Sequence, residues 1–258
     1  MITVHHLENS RSQRVLWLLE ELGLDYTVKR YERDPATMQA PRELRAVHPL
    51  GKSPVIAADG HVVAETGAIV EFLTARANGA LVPPAGTPER ARYTYFLHYA
   101  EGSAMPPLLL KLIFSRLAPG SPALLRPLVR AIAGKVTGGF VDPELRRHAA
   151  YWEAELAERA YFCGADFTAA DIMMSFPLEA FAARGTGAGP RLTDWLARIH
   201  ARPAYRRALE RGWALRLRVR RATHPLDGAK TNLTGSADDT RRALRAGGPG
   251  EIVWETSS

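Results

Sequence analysis

Hydrophobic and polar positions alternate in two textures along the chain. Up to about residue 82, short apolar runs that read as strands are interleaved with runs at helical spacing; from residue 88 onward only helical spacing recurs. Residues 2–5 read as a first strand. Val15, Leu16, Leu18, Leu19 and Leu22 follow at helical spacing until Gly23 stops the run, and residues 26–31 read as a second strand. A short helix over 43–47 leads into two apolar runs, 54–58 and 61–64, joined by Asp59-Gly60, a two-residue loop of hairpin type. Ala68, Ile69, Phe72 and Leu73 then predict a helix over 66–77. The order is β-α-β, α, β-β-α.

Asn78-Gly79 and the Pro-rich stretch 82–86 break the periodicity and predict a linker. Beyond it, helices are predicted at about 88–116, 122–138, 143–160, 169–184, 192–201 and 204–213. Met105-Pro106-Pro107 should break or kink the first of these, because proline removes a helix hydrogen bond and clashes with the preceding turn. Thr168, with Asp171 three positions on, reads as a helix start with a variant capping box, a folding signal rather than a chemical one. After residue 222 the texture turns small, polar and Gly-rich, and a flexible tail is expected over 223–258. It carries four basic and five acidic residues, so the body holds +8.

Composition alters this picture little. With 258 residues, 46% hydrophobic and 24% charged, the chain has material for two cores. The net charge of +7 points to a generally basic surface, since the arginines are scattered through the predicted helices; no nucleic-acid partner is expected. The single cysteine excludes an internal disulfide and suits a reducing compartment. No secretory leader and no apolar run of spanning length are read, so a cytoplasmic protein without a membrane span is expected. His5 and His6 lack a third ligand at sensible spacing, so no metal site is expected.

The candidate chemistry lies around the hairpin. Pro54 opens a strand and pushes Ser53 toward extended geometry, leaving the Ser53 backbone groups for a ligand. Glu65-Thr66-Gly67 stands at the start of a helix, where unpaired N–H groups and a partial positive charge suit a small carboxylate. At these residues, and in HHLENSRSQRVLWLLEELGLDY, HPLGKSP, HYAEGS and TAADIMMSFPL, the chain resembles the glutathione transferase family, nearest to a fungal and bacterial serine-type subgroup, over about residues 1–221.

The resemblance implies a thioredoxin-like α/β domain at 1–82 followed by an all-α helical domain at 83–222 that contributes the electrophile site. It implies that the Ser53 backbone, before a cis Pro54, pairs with the cysteine of glutathione, and that Glu65 and Thr66 hold its γ-glutamyl end. Lys52, with His48 as a second donor, would face the glycine carboxylate, and Arg11 could supply positive charge. Ser10 best matches the family's serine beside the sulfur, with Asn9 and Ser12 as alternatives; on the residues alone, all three could equally cap the first helix. For Arg14 the structural role is favoured.

The task such a site must perform is to favour a thiolate. A free thiol with a pKa near 8.5 is only a few per cent ionised at neutral pH. Lowering that by two units takes roughly 2.7 kcal/mol, within reach of one hydroxyl and a helix N-terminus. The expected function is conjugation of glutathione, as co-substrate with no other cofactor, to a hydrophobic electrophile by a homodimer acting in detoxification. A glutathione-dependent peroxidase or disulfide reductase, or a non-catalytic glutathione-binding or regulatory module, is the alternative. Tyr95, Phe96, Tyr99, Met105, Ile113 and Phe114 could line the acceptor site or belong to core or dimer interface. Cys163 precedes Gly164 in a loop without a Cys-x-x-Cys partner, which disfavours dithiol exchange.

Overall fold

The structure is a computed structural model that describes residues 1–184 and 187–212. Strand β1 (Ile2–Leu7), helix α1 (Ser12–Leu22) and strand β2 (Tyr26–Tyr31) form a parallel β-α-β unit, in register from Ile2 opposite Tyr26 to Leu7 opposite Tyr31. Helix α2 (Arg42–Val47) leads to β3 (Val55–Ala58), which pairs antiparallel with the other edge of β1 and turns back into β4 (His61–Ala64). Helix α3 (Thr66–Arg76) follows, and the sheet order is β2-β1-β3-β4. The order of elements is the one predicted.

Local chemistry explains the boundaries. Asp59 and Gly60 both have positive φ, 51° and 81°, as the tightest hairpin turn requires. Gly23 ends α1 in the left-handed conformation, where its N–H returns to Leu19 O. β1 runs two residues beyond the prediction, because His6 and Leu7 pair with Arg30 and Tyr31 and are buried in this central strand. That extension sets where the β1–α1 loop begins.

The helical part comprises α4 (Pro88–Tyr99), α5 (Met105–Leu117), α6 (Arg126–Val136), α7 (Asp142–Glu158), α8 (Ala169–Ala183), α9 (Pro190–His200) and α10 (Pro203–Arg211). The expected break at Met105-Pro106-Pro107 takes another form. The prolines occupy the first turn of α5, where a missing N–H costs little, and the five residues before α5, Ala100–Ala104, make a π-helical turn closed by Met105 N–H to Ala100 O. A second π-helical turn, Thr137–Val141, joins α6 to α7. Between the two turns, α5 and α6 form an arm in which α6 buries only Ala133.

Helix α8 is the central post, with 13 of its 15 residues buried, which explains why its sequence is apolar on every side. The expected capping box starts it. Asp171 accepts from Thr168 N–H at 2.9 Å and Thr168 Oγ1 at 3.1 Å, and also from Phe162 N–H at 3.0 Å. Burial pushes its carboxyl up to about 6 against the pull of these donors. One apolar cluster runs from the sheet through α1 into α4, α8 and α9, and Trp17 of α1 packs edge-on against Tyr205 of α10. Among the described residues no helix is long and apolar enough to cross a membrane. The predicted tail, 223–258, lies outside the described residues.

Candidate functional site

The site is built where the end of β1, the start of α1 and the segment before β3 meet. The chain leaves β1 at Leu7, turns through Asn9 at φ 48°, and enters α1 at Ser12. Ser10 Oγ donates to Leu7 O at 2.7 Å, lies 2.7 Å from Ser12 Oγ and accepts from Ser12 N–H at 3.3 Å. It also lies 3.4 Å from Ser53 Oγ. Ser53 Oγ in turn donates to His5 O at 3.0 Å, so its hydroxyl ties the hairpin segment to β1. The Ser53-Pro54 bond is cis, in agreement with the resemblance, and the β3 ladder begins only at Val55, which leaves the Ser53 backbone outside it.

The three sulfur candidates are separated by this geometry. Asn9 is exposed, Ser10 is 7% exposed and Ser12 is wholly buried, with Oγ 2.8 Å from His6 Nδ1. The capping reading is realised in part: Arg11 occupies the N-cap position without a side-chain cap, while Ser10 Oγ takes the Ser12 N–H. His6 itself is 2% exposed. Burial, with the charge of Arg30 adding to it, lowers its pKa to about 4, so its ring is neutral at pH 7.

At the second edge, Glu65 stands before α3 at φ 71° and is exposed, whereas Thr66 is buried as the first residue of that helix. The buried Arg14 guanidinium reaches Thr66 Oγ1 at 3.5 Å and Met173 O of α8 at 2.7 Å, and pairs with Glu101. Arg11 Nε also meets Glu101, at 3.0 Å. Two guanidinium groups thus share one carboxylate, over the Phe176 ring. Burial works to raise the Glu101 pKa, but Arg14 and Arg11 outweigh it and hold it below the ordinary carboxylate value. Burial lowers Arg14, and Glu101 opposes the shift. The structural role favoured for Arg14 is therefore a junction of α1, α3, α8 and the first π-helical turn. Sequence reasoning gave Glu101 no role, although it sits in the HYAEGS motif; its partners, 87 and 90 positions away, leave no local signal.

The remaining candidates are less drawn together. His48 ends α2 and is half-buried, while Lys52 is exposed and makes no ion pair among the described residues. Both flank the Ser53 segment without touching Ser10. Phe96, Tyr99 and Met105 are buried, and Tyr99 Oη accepts from Trp152 Nε1 at 3.0 Å, so these belong to the core. Tyr95 and Ile113 are exposed and Phe114 is half-buried. Cys163 is buried beside Thr168, and burial pushes its thiol up to about 12, which makes it inert. Among the described residues no group of three His, Cys, Asp or Glu could hold a metal ion. The assembly offers hydroxyl donors at the start of α1, the edge of Ser53 and the start of α3, a set suited to an extended ligand with a soft anion at one end and a carboxylate at the other.

Comparisons with known proteins agree. The model of the glutathione S-transferase N-terminal domain matches residues 10–76 and that of the C-terminal domain residues 135–198. The chain is 32% identical over 227 residues to glutathione S-transferase 1 of Saccharomyces cerevisiae, spanning 83% of this chain and 97% of that protein. It is 33% identical to glutathione S-transferase 3 of Schizosaccharomyces pombe, over 82% of this chain and 88% of that one. Among solved structures, a glutathione S-transferase from Actinobacillus pleuropneumoniae superposes with a TM-score of 0.68 at 31% identity, covering 83% and 95% of the two chains. A theta class enzyme from Xanthomonas axonopodis with glutathione bound gives 0.63 at 28%, covering 80% and 96%.

Proposed function

The chain belongs to the glutathione S-transferase family and is a glutathione transferase, and on that premise we propose how its residues carry out the conjugation. The Ser53 backbone binds the cysteine of glutathione, and Glu65 with Thr66 takes the γ-glutamyl ammonium and carboxylate. Lys52, with His48 as second donor, faces the glycine carboxylate. Ser10 donates its hydroxyl proton to the sulfur, and Arg11 adds positive charge nearby. The thiolate then attacks a hydrophobic electrophile held against the helical part, displacing a leaving group or adding across a polarised double bond. A homodimer working in the cytoplasm in detoxification completes the proposal, with residues 1–82 binding glutathione and 83–222 the electrophile.

One observation carries the reading. Ser10 and Ser53 come from separate segments and lie 3.4 Å apart, and Thr66, from a third, lies 3.5 Å from Arg14 of the helix that Ser10 precedes, which supports one site drawn from all three. Ser10 is moreover the one of the three sulfur candidates that is neither exposed nor sealed inside. The test is an ultraviolet thiolate titration of bound glutathione in the parent protein and in Ser10→Ala, with affinity measured for both. A hydroxyl donor to an anion is worth about 1.5–3 kcal/mol, so the substitution should raise the bound pKa by about 1–2 units while binding persists. An equal, depressed pKa in both proteins would remove Ser10 from the mechanism. A bound but unshifted thiol in the parent would turn the whole assignment toward a binding module.

A further inference from the structure

We infer that His6 positions the Ser10 proton through Ser12, as the donor end of a three-member hydrogen-bond chain with a single allowed direction. The inference deepens the reading of Ser10 as the group beside the sulfur, and rests on it. Its links are His6 Nδ1 to Ser12 Oγ at 2.8 Å, Ser12 Oγ to Ser10 Oγ at 2.7 Å, and Ser10 Oγ to Leu7 O at 2.7 Å.

Counting protons fixes the direction. Leu7 O has lone pairs only, so the short contact to Ser10 must contain the Ser10 proton. Ser10 Oγ is then an acceptor toward Ser12, and the single Ser12 proton is spent there. Ser12 Oγ can therefore only accept from His6, which places the imidazole proton on Nδ1. The reverse direction would leave two oxygens 2.7 Å apart with no proton between them. Ser12 cannot relieve that contact, because its own Oγ is 3.5 Å from Leu7 O. Each link admits one solution once the last is set.

The arrangement has a chemical use. Two donors, the Ser12 hydroxyl and the Ser12 N–H, converge on Ser10 Oγ, so the only thing Ser10 has left to give is its proton. Donors feeding an oxygen polarise its O–H and strengthen the bond it makes next. A sulfur anion shares that proton with the Leu7 carbonyl in a three-centre bond, so the short contact keeps its proton while the chain behind stays in place. With the opposite histidine tautomer, Ser12 would donate to His6, and Ser10 would be drawn to donate to Ser12 instead. His6 does not touch the sulfur; it decides which way the serine hydroxyl faces. His6 and Ser12 are both buried, so the chain is shielded from competing water.

Long-range ¹⁵N–¹H correlation on the full chain labelled with ¹⁵N-histidine, free of glutathione, tests the tautomer directly. His6 is assigned by its loss in His6→Gln, and its signals should show Nδ1 protonated and Nε2 bare. The Nε2–H tautomer would overturn the inference whatever Ser10 does in catalysis, and the measurement on the parent protein does not depend on a variant folding. Thiolate titration of bound glutathione supplies the functional arm. Ser12→Ala should raise the bound pKa by about half a unit, roughly threefold less thiolate at a fixed pH below it, with glutathione affinity within about twofold of the parent. Ser12→Thr, which keeps the hydroxyl, should restore the parent value. If Ser10→Ala shifts the pKa and Ser12→Ala does not, the positioning role falls. If Ser10→Ala leaves it unmoved, the underlying site reading falls, and the tautomer result still judges the chain itself.

Discussion

Replacing Glu101 by Gln leaves a buried guanidinium without its counter-charge. Arg14 is 2% exposed on its side chain, and removing one partner of a buried pair costs about 3–5 kcal/mol. Glu101 is itself a third exposed, water screens part of the charge, and the glutamine oxygen still accepts one hydrogen bond. The discounted cost is about 2–3 kcal/mol, or about 4–12 °C in Tm for a chain of this size. Thermal unfolding followed by near-ultraviolet circular dichroism at pH 7 reads it. Arg11→Ala, at a more exposed cation on the same carboxylate, should cost less than about 1 kcal/mol. Arg14→Met combined with Glu101→Leu should recover much of the loss, because apolar groups of similar volume can replace a buried pair at little cost. The pH dependence has a definite sign. A carboxyl held below its unfolded value of 4.5 contributes stability above that value and loses it as pH falls through the folded one. The parent's advantage over Glu101→Gln must therefore shrink below about pH 4.5. A Tm change under about 2 °C at pH 7, or an advantage that grows on acidification, would refute the account.

Asp171→Ala strips the acceptor from Phe162 N–H, Thr168 N–H and Thr168 Oγ1, and should cost about 3 kcal/mol or more in urea unfolding; a loss below about 1 kcal/mol would sink the capping-box argument. Because this carboxyl is raised to about 6, the deficit of Asp171→Asn should widen as pH falls from about 6 toward 3.8, the parent alone gaining stability there. Cys163 should resist alkylation in the native protein at pH 8 and react fully after denaturation; rapid native labelling would contradict its burial. At Gly51, where φ is 58° and an added Cβ would meet Arg45 Cγ at 2.6 Å, Ala should cost about 1–2 kcal/mol and raise the KM for glutathione severalfold by displacing Lys52 and Ser53. An unchanged KM would detach that loop from the glutathione site.

What the sequence disclosed follows from how local each signal is. Residues 26–31 and the hairpin were readable because Gly23 and Asp59-Gly60 punctuate them within a few positions. The capping box of α8 was readable because both partners lie in one turn. The π-helical turns were not, since a wider turn inside a helix leaves the apolar spacing on either side intact. The end of β1 was set too early because the run carries no stop signal of its own: His5 and His6 are alike in type, and it is pairing with β2 that carries the strand to Leu7. Glutathione contacts were suggested by resemblance at Ser53, Glu65 and Thr66, but the hydroxyl chain behind Ser10 and the Arg14–Glu101 pair depend on side-chain directions that spacing does not encode. The same limit applied to Phe96 and Tyr99, which point into the core.

The two π-helical turns bracket the α5–α6 arm, and each closes its backbone one residue later than an α-helix would. Deleting one residue from the first, Gly102 for instance, would let the ordinary pattern resume across the junction. Everything downstream would keep its present facing, because the wide turn holds the one extra residue that the deletion removes, and Leu109, Ile113 and Leu117 would stay exposed. The same deletion inside α5, where no wide turn can absorb it, would instead turn every residue after it by about 100°. The extra residue therefore acts locally: it sets the stretch that carries Glu101 to both arginines, while the helices on either side keep their faces.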